Sequence, residues 1–233
     1  MIIAIDGPAG AGKSTVCKIL ANRLGFVYLD TGAMYRAVAW AFQTAPGLAG
    51  GAQTAPDDER LGQTLAGIDL RFALEDDMLR IFYGQRTLSE ELRSPEITQA
   101  ASRISRLPAV REFLVAWQRK LAAEGPGIVA EGRDTATVVF PQAELKVYLT
   151  ADLATRAARR CAEYAAKGLD ITREQIELLI RERDEADSRR DHSPMRPAKT
   201  AFLLDTSGLS IEQVVDRLAE KAQQLLQTVR RPM

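Results

Sequence analysis

The eight residues from Gly7 to Ser14 carry the clearest chemical signal in this chain. They read Gly-Pro-Ala-Gly-Ala-Gly-Lys-Ser, which fits the G-x-x-x-x-G-K-[ST] pattern of a Walker A phosphate-binding loop. Glycines let such a loop approach phosphate oxygens closely, and successive N–H groups at a helix N-terminus donate to them. Lys13 is placed to reach the β- and γ-phosphates, and the Ser14 hydroxyl to bind Mg²⁺. The predicted ATP-binding residues are Gly7, Pro8, Ala9, Gly10, Ala11, Gly12, Lys13, Ser14 and Thr15.

The residues on either side of this loop are those that the motif requires. An apolar run at residues 1–5 predicts a buried strand, and apolar residues at helical spacing from Ser14 to Leu24 predict a helix. The order strand, glycine-rich loop and helix favours a functional phosphate-binding loop over a glycine-rich turn that matches by chance.

A phosphate-binding loop of this kind needs a carboxylate near Mg²⁺, usually at the end of an apolar strand. Glu131 follows the apolar residues 128–130 and is the first candidate, in direct contact with the metal or through a water. Asp6, directly before the loop, is the second candidate. Either carboxylate could instead only brace the loop. We expect Ser14 and Glu131 to form the metal site.

Strands and helices alternate along much of the chain, which predicts an α/β fold with a parallel sheet flanked by helices. The strands are predicted at residues 1–5, 26–30, 127–131, 144–149 and 202–205. The helices are predicted at residues 14–24, 33–42, 153–167, 172–190 and 211–229.

The middle of the chain breaks this alternation. Residues 44–58, rich in Ala, Gly and Pro, are predicted to be a loop. Residues 69–74 and 79–83 are predicted to be two strands joined by the acidic turn at 75–77. Residues 95–122 are predicted to be mostly helical, with an interruption near Pro108. We expect the hairpin to belong to a small insert.

Composition narrows the classes of partner. The 233 residues hold 31 Lys and Arg against 31 Asp and Glu, which argues against broad electrostatic attraction to nucleic acid or to an anionic membrane. Two cysteines within helical patterns indicate reduced thiols. No apolar run approaches the roughly 20 residues of a membrane span, and no secretory leader is apparent. We therefore expect a cytoplasmic protein.

Residues 152–196 are unusually rich in arginine. They contain ten basic and ten acidic residues, and nine of the ten bases are Arg, whose planar fork suits phosphate. Arg183, Asp187 and Arg190 follow the spacing of one helix face, where two cations and a carboxylate could hold a phosphate and a sugar hydroxyl. The same spacing is also typical of a solvated face of ion pairs.

The order of motifs along the chain resembles that of the bacterial-type cytidylate kinases, which phosphorylate CMP and dCMP. The matching blocks are Ile5–Thr15, Leu29–Arg36 (Leu-Asp-Thr-Gly-Ala-Met-Tyr-Arg), Glu131–Asp134 with Thr137–Pro141, and Arg183–Arg190 followed by Ser193–Met195. A weaker block runs from Ala101 to Arg111. The first block occurs in many kinases, but the combination in this order is highly specific.

The resemblance implies the P-loop nucleoside monophosphate kinase fold for the single domain 1–233. Residues 1–60 and 125–233 would form the core, with a helical lid near 152–196. Residues 61–124 would form a small monophosphate-binding insert that includes the hairpin.

The resemblance also implies roles for individual residues. The acceptor phosphate would be held by arginines, namely Arg36, Arg133 and Arg190. The ribose would be held by Arg183 and Asp187. The cytosine would be read by Ser102, Arg111 and Asp134. Further acceptor-site residues would be Thr31 and Tyr35, although Thr31 could equally be a helix N-cap. Catalysis would fall to Lys13, Arg133, Arg190 and a lid arginine, for which the candidates are Arg156, Arg159 and Arg160, with Arg159 preferred.

The implied activity is transfer of the γ-phosphoryl group of ATP to CMP or dCMP by a monomer that uses Mg²⁺ and needs no nucleic acid or membrane. Two alternatives stay open, a P-loop kinase of another small phosphate acceptor and a non-enzymatic P-loop nucleotide switch. The chain departs from the family pattern at Thr135 and Ala136, where a hydrophobic residue and a glycine are usual. Lys199 and Thr200 stand where acidic residues are common.

Overall fold

Alternating strands and helices run through the structure, a computed structural model that describes residues 1–44, 58–166 and 168–229. The strands are β1 (Ile2–Asp6), β2 (Val27–Asp30), β3 (Leu70–Glu75), β4 (Met78–Tyr83), β5 (Arg86–Leu88), β6 (Ile128–Gly132), β7 (Leu145–Thr150) and β8 (Phe202–Asp205). The helices are α1 (Lys13–Leu24), α2 (Thr31–Thr44), α3 (Asp58–Ala66), α4 (Pro95–Ile104), α5 (Pro108–Glu124), α6 (Leu153–Ala165), α7 (Arg173–Ser188) and α8 (Ile211–Val229). The chain divides into two compact units, Met1–Phe26 with Gly127–Met233, and Val27–Pro126.

The first unit is built on parallel strands. β1 lies between β6 and β7, and β8 pairs with the far side of β7. Ile3, Ile5, Val129 and Val147 are fully buried, as expected for parallel strands covered on both faces. The register that pairs Ile5 with Glu131 brings the carboxyl end of β6 beside the beginning of the phosphate-binding loop.

Gly7 shows why the loop after β1 needs glycine. Its φ is +149°, and a Cβ at this position would lie 2.0 Å from the carbonyl oxygen of Leu149 in β7. No side chain fits this approach, so the chain can turn here only through glycine. The turn delivers the loop to the N-terminus of α1.

Helices α6 and α7 pack against each other in the same unit. Their contact is formed by Ala157, Ile176 and Ile180, which are all buried. A capping box begins α7, since the Thr172 hydroxyl accepts from the Gln175 backbone while the Gln175 side chain accepts from the Thr172 backbone. These local signals account for the predicted helix at 172–190, although α7 ends at Ser188.

The second unit contains the predicted hairpin. β3 and β4 pair in antiparallel fashion through a two-residue turn, Asp76-Asp77, in which both residues have positive φ. Such turns match the twist of a hairpin, and aspartate tolerates this conformation. β4 also pairs with the short β5 and, in parallel, with β2.

The second unit has the predicted break between two helices and also contains elements that were not predicted. The interruption near Pro108 is present, because α4 ends at Ile104 and α5 begins at the proline. Helix α3 and strand β5 were not predicted. Of the predicted loop at 44–58, residues 45–57 lie outside the described residues, and Thr44 and Asp58 are helical. Within the described residues, no helix combines the length and the apolar character needed to cross a membrane.

Candidate active site

The phosphate-binding loop places Lys13 at the first position of α1. Its ammonium group donates to the Pro8 carbonyl at 2.7 Å, across the loop, and the side chain is buried. Burial, helped by the nearby charge of Arg133 and opposed by that of Glu131, lowers the pKa of Lys13 to about 7. A buried lysine that is costly to keep charged without a partner is suited to an anionic ligand.

Ser14 and Glu131 meet as the sequence predicted. The Ser14 hydroxyl donates to Glu131 Oε2 at 2.9 Å, and Glu131 is buried at the end of β6. A hydroxyl and a carboxylate oxygen are ligands of the kind that Mg²⁺ prefers, with its remaining positions left to phosphates and waters. The donors therefore fit Mg²⁺. Within the described residues, no group of three or more His, Cys, Asp or Glu side chains could by itself hold a metal ion.

Asp6 is a brace, but its side chain holds the turn that follows β6 and not the phosphate-binding loop that the sequence suggested. Its Oδ1 accepts from the Thr135 backbone N–H at 2.8 Å and from the Thr135 hydroxyl at 2.6 Å, and its Oδ2 accepts from the Ala136 N–H at 2.8 Å. Burial raises the pKa of Asp6 to about 6, and these hydrogen bonds oppose the shift.

Asp187 lies at the centre of an arginine cluster. Its Oδ2 accepts from Arg133 Nε at 2.9 Å and lies 3.9 Å from Arg183 Nε, while its Oδ1 accepts from Arg190. Asp187 is 1% exposed and the Arg190 side chain 7%, so the cluster is not a solvated face of ion pairs. Although burial opposes ionisation, the charges of Arg133, Arg190 and Arg183 hold the pKa of Asp187 below its ordinary value.

Arg190 keeps hydrogen-bonding capacity beyond this ion pair. It lies just past the end of α7, which was predicted to reach this residue, and its Nε is buried with no hydrogen-bond partner among the described residues. A buried guanidinium nitrogen without an acceptor is costly in a folded protein and is relieved by an anionic ligand.

The three candidate lid arginines on α6 differ in their surroundings. Arg156 donates to the Ala9 carbonyl of the phosphate-binding loop at 3.2 Å and to Asp184. Arg159 donates to the backbone and hydroxyl oxygens of Thr206. Arg160 pairs on the surface with Glu163 of its own helix. The sequence favoured Arg159, and the structure brings both Arg156 and Arg159 next to the loop, since a Cβ at Gly12 would lie 3.6 Å from Arg159 Nη1.

Two residues beside the loop were missed by sequence reasoning. Asp184 Oδ1 accepts from the Ala9 backbone N–H at 3.2 Å. The Thr206 hydroxyl lies 3.3 Å from the Ala11 carbonyl and 3.1 Å from that of Thr150. Both lie far from the loop in sequence, although Asp184 falls within one of the matching blocks and was a visible candidate.

The second unit holds the predicted acceptor-site residues of α2, α4 and α5. Asp30 caps α2 by accepting from the Ala33 N–H at 2.8 Å, and it also binds Arg36 at 2.9 Å. The cap of α2 is thus Asp30, and Thr31 is the first helical residue. Among the residues described, no acceptor lies within hydrogen-bonding distance of the buried Nε of Arg36.

Arg111 and Tyr35 are brought together in this unit. The guanidinium of the buried Arg111 donates to the Tyr35 hydroxyl at 3.2 Å and lies 3.4 Å from the Ser105 carbonyl. The Ser105 hydroxyl in turn donates to the Ser102 carbonyl at 2.8 Å. Asp134 belongs to the first unit, so the grouping of Ser102, Arg111 and Asp134 stays a prediction.

A phosphate-binding loop on a parallel sheet, a serine and glutamate fit for Mg²⁺, and nearby arginines are the features of a P-loop kinase. The sequence model of the cytidylate kinase family matches residues 3–224. The chain belongs to the cytidylate kinase family.

Curated relatives agree with this membership. A cytidylate kinase of Carboxydothermus hydrogenoformans is 44% identical over 220 residues, covering 94% of this chain and 96% of the relative. One of Exiguobacterium sibiricum is 46% identical over 221 residues, covering 95% and 96%. One of Syntrophotalea carbinolica is 43% identical over 220 residues, covering 94% and 91%.

Proposed function

We propose that this protein transfers the γ-phosphoryl group of ATP to CMP or dCMP, giving ADP and CDP or dCDP. The observation that carries the proposal is the combination, in one unit, of the phosphate-binding loop and the Ser14–Glu131 pair with the arginine cluster on Asp187. The first two features suit a donor triphosphate, and the cluster suits an acceptor monophosphate with its sugar. Family membership supports the same reaction.

The donor side rests on Lys13, Ser14 and Glu131. Backbone N–H groups of the loop bind the phosphate oxygens, and Lys13 leaves the Pro8 carbonyl to reach the β- and γ-phosphates. Ser14 and Glu131 hold Mg²⁺ with the ATP. The ion neutralises charge on the phosphates when it is bound.

The acceptor site needs cations more than a general base, because the phosphate of a nucleoside monophosphate is already a nucleophile. Catalysis then consists of positioning and charge neutralisation in a loose transition state. Arg133 and Arg190 of the first unit and Arg36 of the second hold the acceptor phosphate. The buried, unpartnered Nε of Arg190 and that of Arg36 support this role within the described residues.

Asp187 and Arg183 hold the ribose. Three guanidinium groups surround Asp187 in the structure, those of Arg133 and Arg190 in hydrogen-bonded ion pairs and that of Arg183 at 3.9 Å. A sugar hydroxyl can take over part of this hydrogen bonding when Arg133 and Arg190 turn to the acceptor phosphate. Asp187 would then bind ligand without leaving its buried position.

The base is read by Asp134, Arg111 and Ser102, with Tyr35 and Thr31 as further acceptor-site residues. Cytosine offers an amino donor at N4 and acceptors at N3 and O2. A carboxylate accepts from N4, as acidic side chains do towards cytosine elsewhere. Arg111 and Ser102 donate to the remaining edge.

The assignment of residue ranges to a core, an insert and a lid is also a proposal. Residues 1–60 and 125–233 form the core, 61–124 the monophosphate-binding insert, and 152–196 a lid whose closure excludes water and limits ATP hydrolysis. Arg159 is the lid arginine proposed to act on the transferring group, with Arg156 beside it. We also propose a cytoplasmic monomer that acts on small molecules.

The test is a coupled assay of ADP formation with ATP, Mg²⁺ and a panel of nucleoside monophosphates. CMP and dCMP should each support steady ADP formation. Lys13→Ala should abolish it, and Lys18→Ala, an exposed lysine on the same helix, should not. ADP formation with another acceptor alone would indicate a different small-molecule kinase. The absence of acceptor-dependent ADP formation would indicate a nucleotide switch.

A further inference from the structure

One carboxylate ties the start of the phosphate-binding loop to the loop that follows β6. Asp6 ends β1, directly before Gly7, and its register partner is Gly132 in β6. Its two oxygens accept three hydrogen bonds from Thr135 and Ala136, which are both buried. Asp6 is 1% exposed, so these bonds form away from water, where leaving a partner unsatisfied is costly.

The shortest of the three bonds depends on the threonine side chain. The Thr135 hydroxyl lies 2.6 Å from Asp6 Oδ1, and the two N–H groups lie 2.8 Å from the carboxylate. The sequence has threonine at a position where a hydrophobic residue is usual in the family it resembles. A hydrophobic side chain at this position could not donate this bond.

The anchored residues follow directly on Asp134. The carbonyl of Asp134 accepts from the backbone of Val138 at 2.9 Å and also lies 3.3 Å from the N–H groups of Thr137 and Val139, which closes a π-helical turn at Thr135–Val139. The turn holds the carbonyl of Asp134, and the Asp6 carboxylate holds Thr135, which directly follows Asp134. The backbone from which the Asp134 side chain projects is therefore held by this anchor.

We infer that Asp6 and Thr135 are positioning residues that fix Asp134 and so set the selectivity for cytosine over uracil. This inference rests on the proposed function, in which Asp134 accepts from the cytosine amino group. Neither Asp6 nor Thr135 needs to touch the substrate. The anchor acts through the backbone of Thr135 and Ala136.

The electrostatics of Asp6 agree with this role. Burial raises the pKa of Asp6, and the hydrogen bond from the Thr135 side chain is the strongest influence that lowers it again. The hydroxyl therefore helps to keep the carboxylate ionised, and an ionised carboxylate can accept from all three donors at once.

The experiment compares Thr135→Val, which has nearly the same shape without the hydroxyl, with Thr135→Ser, which keeps it. Thr87→Val, the same change on the exposed strand β5, is the matched control. We expect Thr135→Val to narrow the ratio of kcat/KM for CMP to that for UMP by about tenfold, mostly through the KM for CMP. The KM for ATP should stay within about twofold, because Asp6 keeps its two bonds from backbone N–H groups and the start of the phosphate-binding loop stays in place. In Thr135→Ser the ratio of kcat/KM for CMP to that for UMP should return most of the way to the wild-type value. In Thr87→Val it should equal the wild-type value.

Hydrogen–deuterium exchange of the ligand-free protein gives a second result that needs no substrate. The amides of Thr135 and Ala136 should exchange faster in Thr135→Val than in the wild type or in Thr135→Ser. If Thr135→Val does not fold, Thr135→Ala takes its place.

Unchanged base selectivity in Thr135→Val would overturn the inference, as would unchanged amide protection. Equal loss in Thr135→Ser and Thr135→Val would also overturn it, since the hydroxyl would then be irrelevant. Failure of the proposed function is distinguishable from these results, because the wild type would then show no CMP-dependent ADP formation. In that case amide exchange still decides whether the Thr135 hydroxyl anchors the loop.

Discussion

Asp6 and Asp187 are both buried carboxylates, but they are stabilised by different kinds of donor. Both carboxylates lie in the first unit and are 1% exposed. Asp6 is satisfied by uncharged donors, two backbone N–H groups and a hydroxyl, and its pKa is raised to about 6 by burial. Asp187 is surrounded by Arg133, Arg190 and Arg183, whose charges outweigh burial and lower its pKa.

The difference separates an anchor from a binding group. The donors around Asp6 are two backbone N–H groups and one hydroxyl, which all belong to one short turn of the chain itself. The donors around Asp187 are charged guanidinium groups, which can turn to a phosphate. Uncharged donors fix a loop here, and the charged donors around Asp187 support the proposal that the arginine cluster binds a substrate.

The largest effect is expected when the arginine cluster loses its carboxylate. Asp187→Ala should lower kcat/KM for CMP by about a hundredfold, since the ribose contacts and the alignment of the arginines are lost together. The KM for ATP should change by less than about threefold. Steady-state kinetics with each substrate varied in turn measures both quantities.

Glu185→Ala is the matched control for this change. Glu185 lies on the same helix, but its ion pair with Arg189 is exposed and contributes little. Its CMP kinetics should equal those of the wild type. Normal CMP kinetics in Asp187→Ala as well would show that the cluster is only structural.

The burial of Asp6 should instead be visible in the pH dependence of stability. Because the folded-state pKa of Asp6 is raised to about 6 from 3.8, the folded chain binds this proton more tightly than the unfolded chain. This titration therefore stabilises the fold fully below about pH 4, and its contribution is lost as the pH rises through about 6. Asp187 has the opposite sign, because its depressed pKa gives a contribution that is present above about pH 4 and lost as the pH falls.

Urea unfolding of the wild type and of Asp6→Asn at about pH 4 and about pH 7 measures the Asp6 contribution. The free energy of unfolding of the wild type, relative to Asp6→Asn, should fall by about 2–3 kcal/mol between these two pH values. The same difference at both pH values would show that Asp6 titrates alike in the folded and unfolded chain.

Gln118 extends the comparison to a buried group with no partner. Its side chain, on α5 of the second unit, is fully buried, and neither its oxygen nor its nitrogen has a hydrogen-bond partner among the described residues. Gln118→Met keeps the length without the polar atoms, so it should raise the free energy of unfolding by about 1 kcal/mol. Gln223→Met, on the exposed face of α8, is the control and should change little. A loss of stability in Gln118→Met alone would mean that the amide is satisfied in solution.

The parts of the fold that depend on local chemistry were predictable from sequence. The glycine loop, the break at Pro108 and the hairpin turn at Asp76-Asp77 each follow from the conformations that a few adjacent residues allow. The proximity of Ser14 and Glu131 was predictable because a phosphate-binding loop with this serine needs a carboxylate near the same metal ion. The short elements α3 and β5 carry too few residues for a clear periodic signal.

The role of Asp6 could not be decided in the same way. Its hydrogen-bond partner Thr135 is 129 residues away, and only the parallel register of β1 and β6 brings the two together. The sequence therefore left Asp6 open between a metal ligand and a brace. Asp184 and Thr206 were missed for the same reason, because their contacts with the phosphate-binding loop depend on how α7 and β8 are placed.

The central claim is that this protein phosphorylates cytidine monophosphates because Asp134 accepts from the cytosine amino group. The most direct test is a competition between CMP and UMP in one reaction, for the wild type and for Asp134→Asn. UMP would set its O4 against the carboxylate and its N3–H against a donor, so the wild type should favour CMP by about a hundredfold, from two mismatches. Asp134→Asn should narrow that ratio, because an amide can donate to O4. Equal use of the two substrates by the wild type would contradict the account.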